Sequence, residues 1–194
     1  MKKLTRVQQA EATRKKLFDA AYSLLDETEF DTITINGIVS KAGVSAGTFY
    51  LYFKSKLDVY YQTYRLADKY FADVVAPMLD KPSALDNLLL FFENYAYYNA
   101  RHTSLRLTKL LYNADNTCFI RDADPGMLSV LRNVVERGLA SGELDQSMGA
   151  DEIVRFLMRA VRGLVYDWCI RDGGFDLKEA MRDYVMRLYR AVAA

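Results

Sequence analysis

Between Gln8 and Glu27 the apolar residues Leu17, Ala20, Ala21, Leu24 and Leu25 recur at the i, i+3, i+4, i+7, i+8 spacing, which places them on one face of an α-helix. Phe30 follows and is expected to fold back onto the same small core. Next, Thr34 stands as an N-cap before a short helix whose inward face is Ile38, Val39 and Ala42, its hydroxyl accepting from an orphan amide. Gly43 supplies a residue free to adopt positive φ, and Val44 restarts an apolar contact after the turn. Ser45 then caps a second short helix carrying Ala46, Gly47, Thr48, Phe49 and Tyr50. Two short helices joined by a glycine-containing turn form the helix-turn-helix pattern.

The rest of the chain reads as helix after helix. A long one is expected from Lys54 to Met78, bent or ended by Pro77. Ser83, with Asp86 three residues on, resembles a capping box that opens a helix to about Ala100. Ser104 to Asn113 reads as helical, and Asn113 to Asp124 as a polar loop. Asp124-Pro125 has the form of a cap followed by proline at the first helical position, starting a helix that ends near Ser141-Gly142. Another runs from Ala150 to Arg171 and stops at Gly173-Gly174. The last starts at Asp176, with Glu179 as its third-position partner, and continues to the C-terminus. No strand-like alternation of useful length occurs. The expectation is all-α, about nine helices: a three-helix domain over 1–53 and a larger helical domain over 54–194.

Composition agrees with long helices, since only three prolines and ten glycines punctuate 194 residues. The net charge of +1 is uninformative, but its distribution is not. No acidic residue lies between Asp31 and Asp58, whereas Lys41, Lys54 and Lys56 do. A surface without carboxylates and with a few cations suits approach to phosphate. Lys2, Lys3 and Arg6 form a short basic arm ahead of the first helix. The longest uncharged run, Ala42 to Phe53, has 12 residues, short of the ~18 that a membrane span needs. With no signal peptide visible, a soluble cytoplasmic protein is expected. Its two cysteines, Cys118 and Cys169, match no metal or redox spacing.

The combination of Thr34, Ile38, Ala42-Gly43-Val44-Ser45, Gly47-Thr48-Phe49-Tyr50, Tyr52-Phe53 and Lys56-Leu57 resembles the DNA-binding domain of the TetR family of bacterial regulators. The resemblance covers roughly the first third of the chain. It implies that Thr34, Tyr50, Tyr52 and Lys56 contact phosphate and set the docking register. Ser45, Ala46, Thr48 and Lys41 would face bases or the adjoining backbone, with Gly47 in the same small-residue set, while Phe49, Phe53 and Leu57 belong to the core. Small side chains at 45–48 let a recognition helix approach base edges closely. That helix lacks Arg, Asn and Gln, so methyl contacts, water-mediated bonds and DNA shape are expected to share the readout.

Beyond Pro82 the resemblance is weaker: Arg137-Gly138 through Gly142-Glu143-Leu144, then Gly163-Leu164 and Trp168. It implies that the last two helices pair with those of a second copy. The apolar stripes support this, and Phe156, Leu157, Ala160, Leu164, Trp168, Tyr184 and Leu188 are the expected interface residues. A homodimer also follows from function, because one short helix reads few base pairs and two half-sites about 34–36 Å apart read more. The aromatic run Phe91 to Tyr98 exceeds one buried face, so Phe92, Tyr95, Arg106, Lys109 and Tyr112 are candidates for a pocket taking an apolar or aromatic molecule, or one that also carries an anion. His102 fits an exposed helix-end cap better than a sensor, and Cys118 an inert thiol.

An enzyme fits poorly, with one histidine, no nucleophile elbow, no phosphate-binding glycine loop and no metal-ligand cluster. No cofactor or metal is expected. The reading is therefore a ligand-responsive dimeric repressor of a palindromic operator, repression being the family default. The alternative is a partner-regulated or architectural DNA-binding protein of the same fold.

Overall fold

The structure is a computed structural model and describes residues 5–113, 116 and 126–194. Lys2 and Lys3, Cys118, the expected loop to Asp124 and the Asp124-Pro125 cap lie outside the described residues. The described residues form ten α-helical segments and no strand beyond one isolated bridge between Leu144 and Ala193. The fold class is all-α. Two compact units divide after Thr63, ten residues beyond the position that the sequence suggested for the domain boundary.

In the first unit α1 spans Arg6–Glu27 and opens with a full capping box. Thr5 Oγ1 accepts from the Gln8 amide, and the Gln8 side chain accepts from the Thr5 amide. Arg6 is thus the first residue of the helix and not part of an arm. Leu17, Ala20, Ala21 and Leu25 are buried and Leu24 is half-buried. The stripe packs on α2 (Ile35–Ala42) and α4 (Lys56–Tyr60), with α3 (Ala46–Tyr52) following α2. Phe49 is fully buried, and truncating such a ring to alanine costs about 3–5 kcal/mol. Phe30 is half-buried and meets the edge of the Tyr60 ring at 5.7 Å. The Tyr60 hydroxyl donates to the Ala21 carbonyl at 2.9 Å, and burial pushes the phenol up to about 12.

The expected single helix from Lys54 to Met78 is segmented instead. It starts at Lys56, capped by Ser55, and is interrupted at Tyr61 before α5 (Gln62–Tyr70). A π-helical turn over Phe71–Val75 and a 3-10 turn over Ala76–Met78 follow. Pro77 explains the ending: it offers no amide proton and its ring crowds the carbonyl four residues back, so regular i→i−4 bonding cannot continue through it. The wider π turn keeps Phe71 and Val75 both inward.

In the second unit α6 (Ala84–Tyr97) is the central element and packs on α8 (Met127–Ala140) and α10 (Leu177–Tyr189). A π-helical turn, Tyr98–His102, links it to α7 (Leu105–Leu111), and α9 (Ala150–Ile170) lies against α7, α8 and α10. The last helix does not reach the C-terminus. It ends at Tyr189, because the terminal residues pair with another segment: Asp145 donates its amide to the Val192 carbonyl and Ala194 donates to that of Glu143.

Candidate nucleic-acid interface

The first unit builds its presenting surface from three local devices. Thr34 is extended and its Oγ1 accepts from the Gly37 amide at 3.0 Å, starting α2. Gly43 ends α2 in the left-handed region, at φ 66° and ψ 37°, which a side chain at that position would strain by roughly 1–2 kcal/mol. Its amide and that of Val44 close back onto Ser40 and Val39. Ser45 then starts α3, its Oγ accepting from the Thr48 amide at 3.1 Å, with the two hydroxyls 2.9 Å apart. Because these caps use the hydroxyl oxygens as acceptors, Thr34 keeps its proton for an outside acceptor, and so does one of Ser45 and Thr48.

Phe49 is the one buried residue of α3. At about 100° per residue, Gly47 and Leu51 lie within about 20° of the side opposite Phe49, Tyr50 lies beside Gly47, and Ala46 stands between Tyr50 and the Phe49 side. All four are exposed, Tyr50 by 59% and Leu51 by 79%. The outward face of α3 therefore carries no charge. Tyr52 is half-buried, under the Arg14 guanidinium, which sits 5.9 Å from its ring and 5.7 Å from that of Phe53. Phe53 is core and Leu57 half-buried.

The cations differ in availability. Lys41 pairs with Glu27 at 2.6 Å, and that hydrogen bond, with help from Ser23, holds the Glu27 carboxyl below its ordinary value. Lys56 donates to the Phe30 carbonyl at 2.6 Å and lies 4.0 Å above the Phe30 ring, so its charge is already engaged within the unit. Lys54 is exposed and makes no ion pair among the described residues. Leu51, Lys54 and Arg14 are thus members of this surface that the sequence reading left out of its site. The signal for Leu51 was present, since it stands four residues from Gly47 and shares its face.

In the second unit the expected pocket residues separate. Phe92, Tyr95 and Tyr112 are buried, whereas Arg106 and Lys109 are exposed, and Lys109 pairs with Asp172. The cation near the phenols is Arg162 of α9. The Tyr95 and Tyr112 hydroxyls bond each other, burial raises both above the ordinary tyrosine value, and the Arg162 charge opposes that rise. The excess of aromatic residues on α6 has a packing explanation. The helix is central, so Phe91, Phe92, Tyr95 and Tyr98 all face neighbours, with Phe91 4.8 Å from Phe71 and 5.1 Å from Phe92. Only Tyr97 of that run's rings is exposed. His102 is exposed and stacks on Tyr98 at 5.2 Å, with Tyr70 and Tyr97 at 4.9 and 5.3 Å. Cys169 is buried, which pushes its thiol up to about 11.

The expected interface residues also fall into two sets. Leu157 and Trp168 are buried within their own unit, the indole donating to the Phe175 carbonyl at 3.1 Å. They point into the core because each lies on the inward side of α9. Phe156, Ala160, Leu164 and Leu188 are half-buried and Tyr184 is exposed. Phe156 and Ala160 line an open groove of about 710 Å³ with Met148, Glu152, Arg155 and Arg159. Exposed Tyr166 and Ile170 on α9 are further apolar surface there. Among the described residues, no helix is long and apolar enough to cross a membrane, and no group of three or more His, Cys, Asp or Glu is placed to hold a metal.

Residues 17–61 match the family described as bacterial regulatory proteins, tetR family. The chain is 23% identical over 167 residues to the fatty acid metabolism regulator protein of Bacillus subtilis, covering 84% of this chain and 86% of the relative. To the HTH-type transcriptional regulator AcrR of Shigella flexneri it is 22% identical over 191 residues, covering 92% and 88%. Among solved structures, the transcriptional regulator FadR from Bacillus subtilis in complex with stearoyl-CoA superposes with a TM-score of 0.73 at 22% identity, covering 90% of this chain and 97% of that one. The matched family and these relatives are regulators of transcription and not enzymes.

Proposed function

We propose that this chain, which belongs to the tetR family of bacterial regulatory proteins, is a cytoplasmic homodimeric repressor that docks α3 into the major groove of a palindromic operator. The observation that carries the reading is the uncharged outward face of α3, with Thr48 at its side and exposed Lys54 two residues past its end, in a stretch free of acidic residues from 32 to 57. Phosphate contacts from Thr34, Tyr50, Tyr52 and Lys54 position the helix; Ser45, Ala46, Gly47 and Thr48 let it approach the bases. Lys41 and Lys56 join only by exchanging their internal partners for phosphate. The half-buried residues Phe156, Ala160, Leu164 and Leu188 of α9 and α10, with exposed Tyr184, support pairing of two copies there.

The inducer in this reading is an apolar molecule taken up by the second unit near Phe92, Tyr95 and Tyr112, with Arg162 as the charge for an anionic end. The stearoyl-CoA complex of the Bacillus subtilis relative makes a long acyl thioester the class to test first. Release then follows from population shift: the ligand binds better to the dimer whose helices α3 no longer match successive grooves, and the ratio of the two affinities sets how far DNA binding falls.

Selection of bound sequences from random DNA at two salt concentrations tests the reading. Enrichment of a palindrome, weakened in Tyr50→Ala and Lys54→Ala, is the expected result, with Lys54→Ala lowering the salt slope by about one for each phosphate it no longer neutralises. Absence of enrichment, with binding that vanishes as salt rises, overturns it. Stearoyl-CoA that neither stabilises the protein nor releases the selected DNA overturns the proposed inducer class and leaves the operator reading standing.

A further inference from the structure

We propose that Leu51 is a specificity-determining residue of the DNA interface, and that it reads the 5-methyl group of a thymine in each operator half-site. The inference rests on the DNA-docking role of α3 proposed above. Leu51 is the most exposed of the large apolar side chains among the described residues, at 79%, and it stands on the face of α3 opposite buried Phe49. An exposed leucine of this kind has no packing role inside its own unit, since the Phe49 side of the helix supplies the packing.

The chemistry of the surrounding face narrows what Leu51 meets. Its neighbours one turn back, Gly47 and Thr48, are small, so the leucine projects furthest from that part of the helix. It carries no donor, which excludes the phosphate oxygens that Tyr50, Thr34 and Lys54 can serve. The base-edge groups of the major groove are hydrogen-bond donors and acceptors, except for one apolar group, the thymine methyl. Apposition to any of the others would remove water from a polar atom without replacing its hydrogen bond, which is unfavourable. The only base-edge partner whose burial against Leu51 is favourable is therefore that methyl. The helix-turn-helix that matches the tetR family spans residue 51, so the face is continuous with the DNA-binding surface of the chain.

The test uses the whole 194-residue chain and the palindrome selected as above. Thymines are replaced by uracil, pair by pair in symmetric positions, which deletes the methyl and keeps Watson–Crick pairing. Affinity is measured by fluorescence anisotropy for wild type and for L51A, with far-ultraviolet circular dichroism to confirm that the variant is folded. One symmetric pair of thymines is expected to show a loss of roughly fifteenfold in the wild type, from about fourfold for each of two buried methyls. In L51A the same replacement is expected to change affinity by less than about twofold, while replacements elsewhere act equally on both proteins. Uracil substitution that leaves wild-type binding unchanged at every pair overturns the inference, as does a methyl effect that persists in L51A. Both of those outcomes leave the operator reading intact, because the palindrome has still been selected and bound. Failure of the wild type to select any sequence overturns the operator reading and this inference with it.

Discussion

The Asp68 carboxylate accepts the backbone amide proton of Met127 across 2.8 Å, so α8 is capped by a side chain from α5, 59 positions earlier in the chain. The first amides of a helix have no partners of their own, and a carboxylate there meets both the orphan donors and the positive end of the helix dipole. Gly126, the residue before Met127, makes the approach possible: a Cβ there would lie 2.2 Å from Asp68 Oδ1 and 2.9 Å from its Cβ.

Asp68→Ala is therefore expected to lower stability by about 1–2 kcal/mol, and Asp68→Asn by less, since the amide can still cap without its charge. Gly126→Ala is expected to cost at least as much, because it forces the carboxylate off the amide. In the Asp68→Ala background the same glycine substitution costs less, though not nothing, as the Cβ of residue 68 remains close. Urea denaturation of the four proteins checks the coupling; strict additivity would contradict the geometry.

Gly47 lies inside α3, where a glycine is unfavourable, and a Cβ built on it meets only Ser45 Oγ at 3.7 Å. Nothing within the unit needs the missing side chain. Gly47→Ala is expected to stabilise the protein by about 0.5–1 kcal/mol while weakening operator binding by about tenfold, because the added methyl stands between helix and base edges. Thermal melting and anisotropy on one preparation separate the two effects, and a variant that loses stability and keeps affinity would show the glycine to be structural.

In the proposed DNA complex, Glu27 is the competitor of phosphate for the Lys41 ammonium, which it holds at 2.6 Å in the free chain. Glu27→Gln removes one competitor and is expected to raise DNA affinity by a few fold, most clearly at low salt. The pair also sets a pH effect. Because the Glu27 carboxyl is held below its ordinary value of 4.5 in the folded protein, its contribution to stability is present above that value and is lost as pH falls below it. The wild-type and Glu27→Gln proteins should thus differ in stability near neutral pH and converge as pH falls below 4.5 in denaturant titrations.

Tyr60 gives the opposite window. Its phenol is raised from 10 to about 12 by burial, so between those values the unfolded chain loses a proton that the folded one keeps. Stability of the first unit falls as pH rises through that range. Tyr60→Phe should flatten this alkaline decline, and at neutral pH should cost about 1 kcal/mol for the bond to the Ala21 carbonyl. An unchanged alkaline slope in the variant would assign the decline to other tyrosines.

Several features of the fold are legible in the order of residues alone. The i, i+3, i+4 spacing of Leu17 to Leu25 fixes a helix and its inward side, since side-chain direction on a helix follows from spacing. The caps at Thr34, Ser45, Ser83 and Asp176 and the turn at Gly43 are equally local. A hydroxyl or carboxylate reaches an amide two or three residues on whatever the remainder of the chain does. For the same reason the exposed face of α3 follows from the position of Phe49.

What the tertiary structure decided depends on residues distant in sequence. The aromatic run of α6 has the composition of a cavity lining, and it is mostly core because α6 is central and has neighbours on several sides. Lys41 and Lys56 read as free cations in the sequence, yet Glu27 and the Phe30 carbonyl hold them, 14 and 26 residues away. Arg162, and not Arg106 or Lys109, supplies the charge beside Tyr95 and Tyr112. The last helix stops at Tyr189 because residues 143–145 offer the C-terminal residues their hydrogen bonds. Periodicity and capping are short-range consequences of backbone geometry, so the sequence determined them by itself. The partner of a long charged side chain is set by which remote backbone or carboxylate packing brings within reach, and only the folded chain determines that.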